Sequence, residues 1–121
     1  MAIRYNKAGF ATGGLQTYRN INLLTAGAIV LATPGSIYEY YMRNNSASVV
    51  YVKFYDMATA ATHTDTPLRT IGIPATAAAN LFIAEGIDFN TGISVRASTA
   101  VADNDATAPS ANDVVINLGY R

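Results

Sequence analysis

Val49-Val-Tyr-Val-Lys-Phe-Tyr-Asp56 is the stretch that decides the fold of this chain. Val50, Val52 and Phe54 alternate with Val49, Tyr51, Lys53 and Tyr55, so β-branched and aromatic residues fill both faces of a pleat. A helix would scatter the same residues around its circumference. The segment therefore predicts a strand, and its neighbours repeat the pattern. Upstream, Ser36 to Arg43 sets Tyr38, Tyr40 and Met42 against Ile37, Glu39 and Tyr41. The Asn44-Asn45-Ser46-Ala47 loop then predicts a hairpin joining the two strands. Before that, the apolar run Gly27 to Thr33 ends at the turn Pro34-Gly35.

Downstream, Met57 to Thr66 is Ala- and Thr-rich and reads as a long loop or one helical turn. Leu68 to Ile73 is the next extended run, with Arg69, Ile71 and Ile73 on one face and Pro74 at its end. Ala75 to Ala79 reads as a small-residue linker, Asn80 to Ala84 as a short apolar strand, and Glu85-Gly86 as a turn before Ile87 to Phe89. Ile93, Val95 and Ala97 alternate with Ser94, Arg96 and Ser98, and Val114, Ile116, Leu118 and Tyr120 alternate with Val115, Asn117 and Gly119. Seven to eight short strands, no convincing helix and no βαβ pattern predict an all-β chain, an antiparallel β-sandwich or jelly roll.

The domain is expected to span residues 27–121, behind an irregular N-terminal arm of residues 1–26. No period of 2 or 3.6 holds for long in that arm, and Gly9, Gly13 and Gly14 interrupt it. Yet it carries Ile3, Tyr5, Phe10, Leu15 and Tyr18, too many large apolar side chains for a solvated tail. Two destinations follow for them: the arm's own domain, or a neighbouring subunit.

Composition narrows the function. The chain has no cysteine, so it has no disulfide framework and no thiolate metal site. Eight Lys and Arg balance eight Asp and Glu, which leaves no basic stripe for phosphates and argues against nucleic acid as a partner. Zero net charge also removes the repulsion that keeps copies apart, so self-association is expected. The N-terminal stretch has no apolar core of a signal peptide, and the longest apolar run, Ala28 to Ala32, is too short to span a bilayer.

Candidate chemistry is sparse. His63 in Thr62-His63-Thr64-Asp65 is the lone imidazole and reads as an exposed loop residue. Asp103-Asn104-Asp105 offers oxygen ligands in the manner of a calcium loop, but without the Gly and bidentate Glu of an EF-hand; an Asx-rich turn is the plainer reading. Glu85 and Asp88 would serve as a glycosidase pair only across a cleft. We expect no catalytic residue, no metal and no cofactor. Tyr38, Tyr40, Tyr41, Tyr51 and Tyr55 have three candidate roles: packing across strands, a subunit interface, or a stacking face for sugar.

Several motifs in order carry a resemblance. Val52-Lys-Phe-Tyr-Asp56, Thr66-Pro-Leu68 running to Ile73-Pro74, Gly86-Ile-Asp-Phe89, Gly92-Ile-Ser-Val-Arg96, Ala102-Asp-Asn-Asp105 and Asn112 to Leu118 resemble small virion proteins of tailed bacteriophages. The resemblance covers roughly residues 37–121. It implies a capsid cement or decoration protein, typically a trimer, that sits on the major capsid protein and stabilises the shell. Its location would be the virion surface after synthesis in the host cytoplasm. A fibre or spike head that binds host-surface glycan is the alternative. The interface expected under these readings comprises Ile3, Tyr5, Phe10, Leu15, Tyr18, Tyr38, Tyr40, Tyr51 and Tyr55.

Overall fold

The alternation at residues 49–56 is a strand, β4 (Val50–Asp56), in the computed structural model, which describes residues 14–121. The other strands are β1 (Gln16–Asn20), β2 (Ala28–Leu31), β3 (Gly35–Asn44), β5 (Arg69–Ile73), β6 (Ala77–Phe89), β7 (Ile93–Ser98) and β8 (Val114–Tyr120). They form two antiparallel four-stranded sheets, ordered β1-β8-β3-β6 and β2-β7-β4-β5, with no helix among the described residues. The pairing is nested: β1 with β8, β2 with β7, β3 with β6, and β4 with β5. The all-β sandwich expected from the alternation is the fold.

Inward-facing alternate residues build the core. Ile37, Met42, Ile116 and Leu118 from the first sheet meet Val52, Phe54, Val95 and Ile73 from the second, all but excluded from solvent. Each such side chain contributes about 1.5–3 kcal/mol by leaving water.

Three sequence expectations need correction. The first is the hairpin between the tyrosine-bearing strands: β3 and β4 lie in different sheets. The chain crosses between sheets at Asn44, whose side chain is fully buried at the corner. Its Nδ2 donates to the carbonyls of Ser48 (2.7 Å), Ile73 (3.0 Å) and Pro74 (3.1 Å). Its Oδ1 accepts from Ser46 N (2.9 Å) and Ser46 Oγ (2.7 Å). An Asn-rich segment that looked like a surface turn is the corner that splits the tyrosines between two sheets.

Second, the domain reaches further towards the N-terminus than residue 27. β1 pairs along β8 from Gln16↔Tyr120 to Asn20↔Ile116. Leu23 is 1% exposed and its N–H donates to Val114 O. The strand is short and polar on its outer side, at Thr17 and Arg19, so it leaves little periodic signal.

Third, residues 77–89 are one strand rather than a linker, a short strand and a turn. Pairing with β3 holds the small residues extended, from Asn44↔Ala77 to Gly35↔Phe89. Between Ile37 and Glu39, β3 advances two residues while β6 advances five, from Ile87 to Phe82. Gly86 takes φ +80 in this bulge, and a Cβ there would stand 2.9 Å from the Tyr38 ring.

β7 is buried on both faces, its polar residues Ser94, Arg96 and Ser98 included. Loops 57–66 and 99–108 cover that side, through Ala61 N to Ser94 Oγ (3.0 Å) and Ser98 Oγ to Ala100 O (3.0 Å).

Candidate functional site

The two sheets differ on their outward faces. On the β2-β7-β4-β5 sheet, Lys53 and Arg96 stand directly opposite one another and are fully buried beneath loop 99–107. Lys53 Nζ donates to Ala100 O (3.2 Å) and Ala102 O (2.5 Å). Arg96 Nε donates to Tyr55 Oη (2.9 Å) and Nη2 to Asp105 O (2.7 Å), while Nη1 has no partner among the described residues. Like charges paired across strands repel. Burial, and then the Arg96 charge, pull the Lys53 ammonium below its ordinary range, against the opposing pull of Asp105 and Asp103. Burial pushes the Tyr55 phenol up, against the Arg96 hydrogen bond.

Asp105 closes the loop. Its carboxylate accepts from Thr107 Oγ1 (2.7 Å) and Ala100 N (3.0 Å), and the Thr107 hydroxyl chiefly holds it below the usual carboxylate range against some desolvation. This is the Asx-rich turn reading of Asp103-Asn104-Asp105, and no group of metal-ligating side chains forms among the described residues. Asp56, at the end of β4, is raised by desolvation but more than offset by the N–H groups of Thr91 (2.7 Å), Asn90 (3.0 Å) and Gly92 (3.3 Å), which leave it low. His63 is exposed in a loop closed by Asp65 on Thr62 N (2.9 Å). Glu85 and Asp88 lie on β6, with Asp88 accepting from Ser36 Oγ (2.6 Å).

On the β1-β8-β3-β6 sheet no loop among the described residues covers the outward face. One row across it runs Thr17, Gly119, Glu39, Phe82, and the next Arg19, Asn117, Tyr41, Asn80. Glu39, Tyr41, Asn80, Phe82 and Asn117 line a shallow groove of about 310 Å³. Phe82 is 68% exposed and Tyr41 45%, large apolar side chains that a lone domain leaves wet.

No protein-family model, curated protein or solved structure matches this chain. The reading of its surfaces rests on its own geometry. The structure does not gather the expected interface residues on one surface. Ile3, Tyr5 and Phe10 lie outside the described residues. Leu15 is half-buried, and its Cδ1 lies 2.9 Å from where a Cβ on Gly119 would stand. Tyr18 and Tyr40 turn inward beside Leu118, which both flank in register, and pack on the core. Tyr55 is unavailable to any partner, because it is sealed beneath the loops with its hydroxyl on Arg96. Tyr51 is half-buried over Gly72 on the other sheet. Tyr38 lies against Gly86, with the Arg121 guanidinium 5.5 Å from its ring centre.

Phe82 and Tyr41 are the exposed large side chains of this face instead; Tyr41 was one of five tyrosines weighed for an interface, and Phe82 was given no interface role. The signal was there for Phe82. It falls on the outward side once β6 is read as a single strand in register with Glu39.

Proposed function

We propose that this chain is a structural virion protein, a capsid cement or decoration protein that binds the major capsid protein and itself, and is not an enzyme. The observation that carries the reading is the inequality of the two faces. One sheet is sealed by its own loops, and the other presents Tyr41 and Phe82 to solvent. The nested pairing supports it too, since it fits a jelly roll, an architecture used by viral capsid and lectin domains. The ionisable groups fit a non-catalytic protein: Asp56, Asp105, Lys53 and Arg96 are each committed to loop backbone, and His63 faces solvent. A trimer clamping neighbouring capsomers would act by buried area and mass action over many copies.

The groove favours a second reading, a fibre or spike head that takes glycan. Tyr41 and Phe82 offer ring faces for a sugar, and Glu39, Asn80 and Asn117 offer hydrogen-bonding groups beside them. One experiment separates the two. Particles lacking the protein are compared with wild type for heat and osmotic rupture and for host adsorption. The cement reading expects rupture at lower temperature with adsorption unchanged. Particles of normal stability that cannot adsorb would refute it in favour of the glycan reading.

A further inference from the structure

From Ala77 to Phe82 the edge strand β6 lacks the usual protections of a free edge; its bulge and its two charges, Glu85 and Asp88, come only after that. It runs thirteen residues, pairs among the described residues on one side only, with β3, and carries neither Lys nor Pro. Its first eight residues, Ala77 to Ala84, bear no charge, and Leu81 and Phe82 stand 44% and 68% exposed on opposite faces of it. A long, apolar, uncharged edge is a template for another strand.

The chain also holds a segment of complementary chemistry. Residues 1–13 carry Arg4 and Lys7 and no acidic side chain. β6 carries Glu85 and Asp88 and no basic one, with Glu39 beside it on β3. Within the segment, Ile3 and Tyr5 alternate with Arg4 and Asn6. Laid along β6, this alternation sets Ile3 and Tyr5 on the core side, over the exposed edge at Leu81 and Ala79. Arg4 then falls on the outer side, towards Phe82 and Glu39.

We infer that residues 1–13 of one copy add as a strand to the free edge of β6 in a second copy. The segment departs from β1, at the opposite edge of the same sheet from its own β6. Three strand spacings, about 14 Å, separate the two edges. Thirteen residues can extend ~43 Å, enough to leave the domain and lie along a neighbour. Each copy gives an arm and receives one, a head-to-tail contact that closes into a ring when the rotation between copies permits. The inference does not depend on whether the open sheet face meets a capsid or a sugar.

The chain has no cysteine of its own, so disulfide trapping reads the contact cleanly. Tyr5→Cys is combined in turn with Ala77→Cys, Ala79→Cys and Leu81→Cys in the full chain, oxidised, and resolved without reductant. Covalent species of two or more chains in at least one combination are the expected result. A crosslink confined to single chains would mean that the arm folds back on its own β6, and would overturn the inference. So would the absence of a crosslink in all three. Light scattering on the full chain gives the second measure. Ile3→Asp with Tyr5→Asp, which alters the sequence of none of the eight described strands, should reduce the wild-type mass to that of one 12.8 kDa chain, with circular dichroism checking that the sandwich still folds. A wild type that is already monomeric, or an oligomer indifferent to these substitutions, would equally sink it.

Discussion

Replacing Asn44 with Ala tests whether one buried amide holds the corner between the two sheets. Nδ2 has two hydrogens, which serve three carbonyl contacts at 2.7, 3.0 and 3.1 Å, and Oδ1 serves Ser46 at 2.9 and 2.7 Å. Truncation removes two donor bonds of about 1 kcal/mol each and leaves the buried Ile73 carbonyl unpaired, at about 1–3 kcal/mol. The Ser46 donors lie nearer the surface and turn to water. The expected loss is about 3–5 kcal/mol, or roughly 12–20 °C in Tm for a domain of this size. Urea unfolding followed by circular dichroism measures it, with an unchanged slope showing that the denatured state is not altered. Ser46→Ala should cost only about 1 kcal/mol, because one hydroxyl contact near the surface is lost. Asn44→Asp should be no better than Ala at neutral pH, since it aims a carboxylate at three carbonyl oxygens, and it should improve as acid protonates it. A loss below about 1 kcal/mol for Asn44→Ala would refute the argument, because the corner would then be held by packing alone.

Two pH dependences follow from the buried and hydrogen-bonded charges. The Lys53 ammonium is held below its ordinary range, so between its folded and unfolded values the unfolded chain binds more protons. Stability should therefore rise with pH through that alkaline window, and Lys53→Met should abolish the rise; a pH series of urea midpoints reads it. Asp56 is shifted the other way, and its contribution is present above the ordinary carboxylate value and lost as pH falls through the lower folded value. Asp56→Asn should flatten the acid limb of the same curve, and an unchanged limb would mean that the N–H groups of residues 90–92 do not hold the carboxylate in solution.

The sequence is most legible where one face of a strand is buried and the other is wet or aromatic. β4, β8 and the part of β3 after its bulge, Glu39 to Asn44, are of this kind, and period 2 locates them to within a residue or two. β6 is illegible for a physical reason. Ala77 to Ala79 have little intrinsic preference for a strand and are extended only because β3 supplies the backbone partners. β7 is legible as a strand but not in its surroundings. Ser94, Arg96 and Ser98 alternate with apolar residues, and only loops far along the chain, at Ala61 and Asp105, turn their side into an interior. The candidate surface suffered most from the Asn44 corner. A run of tyrosines close in sequence looked like one patch, and a single crossing between sheets put them on two. Tyr41 and Phe82 are distant in sequence and become neighbours only through the β3–β6 register.

The nested strand order also sets the moment at which this protein can fold. β8 is synthesised after the other seven strands, yet it lies inside its sheet, between β1 and β3. Until it is present, β1 has no partner and β3 is open along one edge, so only the β3–β6 ribbon of that sheet can exist. β7 holds the same inner position in the opposite sheet, between β2 and β4, and also arrives late. The first half of the chain must therefore wait, with Val50, Val52 and Phe54 exposed, for partners not yet made. Pairings of such long sequence separation place the chain among slow, non-local folders. Its cooperativity comes late and all at once, and a nascent chain cut short before Val114 has no sandwich to fall back on.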